Sequence, residues 1–300
     1  MRPETCSTEK VEESRSSEGA TCRLQYFLLG PLEVLRDGQP CTPAARKRRV
    51  LLAVLLMSAN EPLPAACLID ALWGCRPPRS ATATLQMYVS GLRRMLDPGH
   101  SVAGRDARRH PLLRTETSGY RLLVRPGELD VDRFGALAAF GRGHLAEGRC
   151  AEAGEAFRRA LALWRGHLVA DLDRSVLPAR YTVRLEEERL SLLSQRIGVE
   201  MCQGRSAEVI GDLQELCARY PLREAFHEQL VQALCLADRR AEALAAYARA
   251  RRTMVEDVGI EPGPALRAAQ SAALEGRTPS SSGHLRCHRS PIPVHQASCG

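Results

Sequence analysis

The spacing of hydrophobic positions changes character along this chain. From Leu24 the sequence LQYFLLGPLEVLRDGQPCTP alternates short apolar runs with turn residues: Gly30-Pro31 breaks the first run, and Asp37-Gly38 follows the second, Leu32–Leu35. This punctuation predicts short β-strands with a hairpin at Asp37-Gly38. Ala44 to Ala59 (AARKRRVLLAVLLMSA) is apolar at helical spacing after a basic first turn, with Pro43 just outside its start, and predicts a core helix. Ala65–Trp73 predicts a short helix ended by Gly74. Pro77-Pro78 then impose an extended loop, and Ser80 is a good N-cap for a helix over Ala81–Leu96 that Asp97-Pro98-Gly99 terminates. Leu112 to Val124 reads as two strands about a turn near Ser118-Gly119. Strands, three helices and a closing hairpin compose an N-terminal α+β winged helix-turn-helix.

Ala81–Leu96 (ATATLQMYVSGLRRML) carries the most information. At 100° per residue, Leu85, Val89, Leu92 and Leu96 form a narrow apolar stripe, while Gln86, Met87, Ser90, Arg93 and Arg94 point elsewhere. One side suits a protein core and the other the edge of a DNA groove.

Beyond Asp130 the pattern becomes Ala-rich and amphipathic. Three segments share a start, AEAGEAF from Ala151, AEVIGDL from Ala207 and AEALAAY from Ala241, and the last two lie 34 residues apart. That interval is the period of tetratricopeptide helix pairs, with Phe157, Leu213 and Tyr247 at matching large positions. The C-terminal part is therefore expected to be an all-α tetratricopeptide-like repeat domain. Val258 to Pro264 stops the last long helix, and Ala265–Leu274 adds one more. The expected organisation is a disordered segment at 1–21, a winged-helix domain at 22–125, the helical domain at 126–275 and a disordered tail at 276–300.

Charge sharpens this division. Residues 22–125 hold 16 Lys/Arg against 7 Asp/Glu, whereas residues 126–275 hold 20 against 23. A basic module followed by a mildly acidic one suits a polyanion on the first and protein on the second. Arg46, Lys47, Arg48 and Arg49 stand where the helix dipole prefers acids, which suits neighbouring phosphate, with plain solvation as the alternative. The eleven cysteines contain no pair at metal-knuckle or redox spacing and read as reduced thiols. His284, Cys287, His288, His295 and Cys299 are soft ligands in a Ser/Pro/His-rich tail without a packing signal, so neither metal nor other cofactor is expected. No membrane span, secretory signal, G-x-S-x-G elbow, H-E-x-x-H pair or phosphate-binding G-x-x-x-x-G-K-[ST] loop occurs. A cytoplasmic protein that is not an enzyme is the expectation.

The ordered runs FLLGPLEVLRDG, RKRRVLLAVLLMSA, LIDALWGCRPP, LQMYVSGLRRML and SGYRL resemble the Streptomyces antibiotic regulatory protein family. LALWRG, RLEEERL, YPLRE and VGIEPGPALRA resemble the bacterial transcriptional activator domain that follows in it, so the resemblance covers about residues 22–275. It implies a transcriptional activator of a secondary-metabolite gene cluster that binds direct repeats of double-stranded DNA near promoters. Its implied partners are RNA polymerase, engaged through the sigma subunit, and a second protomer in tandem on DNA.

Within that reading Gln86, Met87, Ser90 and Arg94 face base edges, with Thr82 and Arg93 nearer the groove walls. Arg46, Lys47, Arg48, Arg114 and Arg121 meet phosphates or the adjacent minor groove. Tyr120, Trp73 and Trp164 are read as packing residues. Ala83 and Gly91 stand where family members often carry Asn and Arg, and Glu116 where Arg is frequent. These departures motivate an alternative, a helical-repeat adaptor with weakened or lost DNA binding.

Overall fold

The computed structural model describes residues 23–99 and 110–277. The segment 1–21, the loop arginines Arg105, Arg108 and Arg109, and the His/Cys cluster of the tail lie outside the described residues. An N-terminal antiparallel sheet joins β1 (Leu24–Phe27), β2 (Glu33–Arg36) and β3 (Gln39–Pro40) in that order. Asp37 and Gly38 both take positive φ, at 50° and 79°, as a two-residue hairpin turn of this hand requires. α1 (Arg46–Met57), α2 (Ala65–Trp73) and α3 (Ala81–Leu96) follow.

The closing hairpin is β5 (Leu113–Thr115) and β6 (Gly119–Leu122). The two-residue β4 (Leu63–Pro64) adds a third strand to it by pairing with β6. A Cβ at Gly119 would stand 1.9 Å from the Leu63 carbonyl oxygen, so glycine is what lets β6 approach β4. Such a short strand carries no periodicity, and the sequence pattern does not announce it.

The second part is helical throughout: α4 (Asp130–Ala146), α5 (Cys150–Leu161), α6 (Ala179–Cys202), α7 (Ile210–Arg219), α8 (Glu224–Leu236), α9 (Arg240–Val258) and α10 (Pro264–Glu275). Phe157, Leu213 and Tyr247 are buried, as matching repeat positions require. Gly259 ends α9 in the left-handed conformation, and Pro264 opens α10. Of the cysteines, Cys41, Cys67, Cys75, Cys217 and Cys235 are free thiols, while Cys150 is disulfide-bonded, against the expectation of reduced thiols throughout.

Two apolar cores hold these elements. The first runs from Leu24 through the whole winged helix and on to Phe134, Phe157, Trp164, Leu185, Leu192 and Val199. The second gathers Leu190, Ile197, Leu213, Phe226, Tyr247 and Leu266. α6 separates them: Leu185, Leu192 and Val199, seven residues apart, share one face, and Leu190 and Ile197 share another.

The winged helix is also bound to the helical part by polar contacts along residues 28–32. Leu28 and Leu29 donate their backbone N–H groups to the Asp130 carboxylate at 2.9 Å. The Leu29 carbonyl accepts from the Arg165 N–H (2.6 Å), and the Leu28 carbonyl from that of Val169 (2.9 Å). Leu32 donates to Asp171 at 2.6 Å, and Asp171 also binds the Arg49 guanidinium. A Cβ at Gly30 would lie 2.9 Å from Arg165 Cβ, so this close approach requires glycine.

Asp130 is 1% exposed, and burial pushes its pKa up to about 6, with the Leu28 and Leu29 N–H groups and the Arg165 charge opposing. The folded chain thus holds this proton more tightly than the unfolded chain, whose ordinary value is 3.8. The resulting stabilisation is fully present below that value and is lost as pH rises through about 6. Asp130→Asn cannot titrate. In urea unfolding from about pH 5 to about pH 7.5, the stability of the native chain relative to this variant should fall by roughly 1–2 kcal/mol. A pH-independent difference would contradict the buried, titrating carboxyl.

Candidate nucleic-acid interface

The sequence of α3 separates its faces as its periodicity predicts: Leu85, Val89, Leu92 and Leu96 are buried. Thr82, Ala83, Gln86, Met87 and Arg94 are exposed, with Met87 at 60%, and Ser90 and Gly91 are half-buried beside them. Ser80 occupies the N-cap position but makes no side-chain cap bond. Its ψ of 11° lies outside the extended region from which a capping hydroxyl reaches back, and the Ala81 N–H donates to the Pro78 carbonyl instead.

Several residues expected at DNA serve the fold instead. Arg93 is a correction. Expected near a groove wall, it is 4% exposed, donates from Nε to the Leu113 carbonyl at 2.9 Å and from Nη2 to Thr115 Oγ1 at 2.7 Å. At 100° per residue it lies about 40° around α3 from the buried Val89, at the border of the apolar stripe. The β5–β6 wing packs on that border, so tertiary contact overrides the helical-wheel reading. Burial lowers its pKa, but a guanidinium starting so high stays charged. Lys47, expected at phosphate, is half-buried; its ammonium donates to the Leu72 carbonyl in the last turn of α2 and stands 5.7 Å from the Trp73 ring centroid. Trp73 in turn stacks on Tyr88 of α3. Arg49 turns to Asp171 of the helical part.

On the wing Arg121 is 3.1 Å from Glu116, so the acid that departs from the family pattern neutralises a cation of its own hairpin. Arg114 projects from the same hairpin and is exposed. Tyr120 is buried and packs as expected. Arg46 stays exposed at the start of α1, and Arg48 is half-buried against Gly91. Of the expected site residues, Thr82, Gln86, Met87 and Arg94 on α3 with Arg46 and Arg114 are exposed, and Ser90 and Arg48 are half-buried.

Sequence reasoning missed three cations. Arg76 and Arg79 are exposed in the loop that leads into α3, where their proximity to the helix start was the available signal. Arg36 of β2 donates to the Met95 carbonyl at 2.7 Å and ties down the C-terminal turn of α3. Their separation of 59 residues left no local signal for it. Among the described residues no group of three or more His, Cys, Asp or Glu side chains is placed to hold a metal, and no helix is long and apolar enough to cross a membrane.

A helix-turn-helix with a wing, an exposed polar helix face and a helical repeat array define a DNA-binding regulator of transcription. Residues 38–122 match the family model of the C-terminal domain of transcriptional regulatory proteins, and residues 129–274 match that of the bacterial transcriptional activator domain. The chain belongs to the Streptomyces antibiotic regulatory protein family. It is 36% identical to regulatory protein DnrI of Streptomyces peucetius over 255 residues, which cover 84% of this chain and 92% of that protein. It is 37% identical to regulatory protein AfsR of Streptomyces coelicolor over 84% of this chain, which spans only 24% of that protein. Among solved structures it resembles Mycobacterium tuberculosis EmbR in complex with a low affinity phosphopeptide. The TM-score is 0.77 and the identity 36%, covering 85% of this chain and 66% of that one.

Arg93→Ala should leave the Leu113 carbonyl without its buried donor and destabilise the domain by about 1–3 kcal/mol in equilibrium unfolding. Backbone amide exchange in β5 should accelerate with it. Unchanged stability together with weaker DNA binding would return Arg93 to the groove.

Proposed function

We propose that this protein activates transcription of a secondary-metabolite, antibiotic-type gene cluster by binding direct repeats near promoters and recruiting RNA polymerase through its sigma subunit. The reading divides the work between a DNA-binding domain at 22–125 and an activator domain at 126–275, acting in the cytoplasm as tandem protomers. The observation that carries it is the exposed face of α3, where Gln86, Met87 and Arg94 project from a helix whose other side is buried.

In this role Gln86 pairs with adenine, Arg94 with guanine, and Met87 packs on a thymine methyl, while Ser90 contacts a neighbouring base edge and Thr82 the groove wall. Arg46 and Arg114 hold phosphates and set the register without reading sequence. Arg121, paired with Glu116, contributes less charge than an unpaired wing arginine would. Lys47 and Arg93 contribute rigidity rather than contacts. With fewer free cations than its sequence suggests, a single module binds modestly, and occupancy of two repeats by tandem protomers supplies the remaining affinity. The similarity to DnrI over almost the whole of that regulator supports the antibiotic-cluster assignment.

The competing adaptor reading draws on the same internal use of Lys47, Arg93 and Arg121. Fluorescence anisotropy with fragments from upstream of the neighbouring genes, titrated against salt, separates the two. The activator should prefer a fragment with two direct repeats to one with a single repeat, and Arg94→Ala should weaken that binding by about tenfold. No preference for repeats, or no binding at low salt, would favour the adaptor. In vitro transcription should show polymerase stimulation from the same fragments, and binding without stimulation would refute recruitment.

A further inference from the structure

The four cations that open α1 part company in the folded chain. Arg46 is exposed, Lys47 binds the end of α2, and Arg49 binds Asp171. The Arg48 side chain, half-buried, makes no hydrogen bond or ion pair among the described residues and lies against α3. A Cβ placed on Gly91 would stand 3.4 Å from Arg48 Nη1 and 3.5 Å from its Cδ. The stem and guanidinium therefore cross the bare backbone of the recognition helix.

That position matters because of its depth. α-Helix side chains extend to about 5–6 Å from the axis, so a group in van der Waals contact with a Cβ at Gly91 runs along the edge of the side-chain shell of α3. The major groove, about 12 Å wide, admits a helix together with that shell. At 100° per residue Gly91 lies about 40° from Met87 and about 60° from Arg94, both exposed. Glycine weakens the interior of a helix, and at this position it leaves the space that Arg48 occupies.

We propose that Arg48 is a specificity-determining residue: it enters the major groove across Gly91 and donates its guanidinium fork to the O6 and N7 of a guanine. This rests on the DNA-reading role proposed above. It makes α1 part of the reading surface and gives Gly91 the role of the opening through which a neighbouring helix supplies the cation.

Selection of bound sequences from a randomised pool of duplexes about 30 base pairs long, long enough for two half-sites, tests this with the full chain. Arg48→Ala should lose preference for guanine at one position of the bound sequence by about 5- to 150-fold, with the salt dependence nearly unchanged. Arg48→Lys should lose the same preference, because an ammonium lacks the fork. Gly91→Leu, which displaces Arg48, should match Arg48→Ala, and the double variant should lose no more. Gly91→Ala should keep the preference, since its Cβ makes ordinary contact. Uniformly weaker binding to all sequences in Arg48→Ala, with a salt slope reduced by about one unit and recovery in Arg48→Lys, would show a phosphate contact and overturn the inference. A native chain that selects no sequence would instead overturn the DNA-reading function itself.

Discussion

The Asp130 carboxylate, buried at the start of α4 and holding the backbone of Leu28 and Leu29, is the contact on which the arrangement of the two parts depends. Those N–H groups sit in a segment that leaves β1 and cannot pair within the sheet, and each would be costly if buried unsatisfied, at about 1–3 kcal/mol. Asp130 satisfies both from the helical part. Arg165, Val169 and Ala170 take the reverse role, donating to the carbonyls of Leu29, Leu28 and Gly30. The segment 28–32 is thereby paired like a strand, with partners that come from the neighbouring domain. The Tyr26–Leu129 bridge extends the same pairing to β1.

Around that seam the first core closes without interruption from the winged helix into α4, α5 and one face of α6. α3 consequently rests on a body larger than the winged helix. Arg36 fixes its C-terminal turn, Arg93 fixes it to the wing, and the Lys47–Trp73–Tyr88 stack fixes its side against α2. Each fastener is a cation or an aromatic ring: sequence reading places Lys47 and Arg93 at DNA and Trp73 in packing, and it assigns no role to Arg36 or Tyr88. A chain whose basic residues are almost all arginine has such fasteners at hand, because a planar guanidinium can satisfy several carbonyls at once while remaining charged. α6 then passes the rigidity on, since its opposite face belongs to the second core.

Much of this was legible in the residues. α2 and α3 fall on the predicted spans, and β1, β2 and the closing hairpin appear where turn residues and apolar spacing place them, whereas β4 is not announced and α7 begins at Ile210, three residues into its repeat motif. α1 is shorter than its apolar pattern by two residues at each end, because Ala45 is extended and Ser58 closes the last turn. The buried stripe of α3 and the exposed Gln86, Met87 and Arg94 follow from helical period alone. Where the reading failed, at Arg93, contacts with the wing decided the outcome, and at Ser80 its own backbone conformation did.

The sequence by itself determined the elements, their order and the family, because local period, turn chemistry and ordered motifs are properties of neighbouring residues. Tertiary structure alone decided which cations remain available. Arg46, Lys47, Arg48 and Arg49 are indistinguishable as a basic run, yet one is exposed, one caps α2, one crosses Gly91 and one joins the helical part. Their fates depend on carbonyls, a carboxylate and a bare stretch of helix that lie from 25 to 122 residues away.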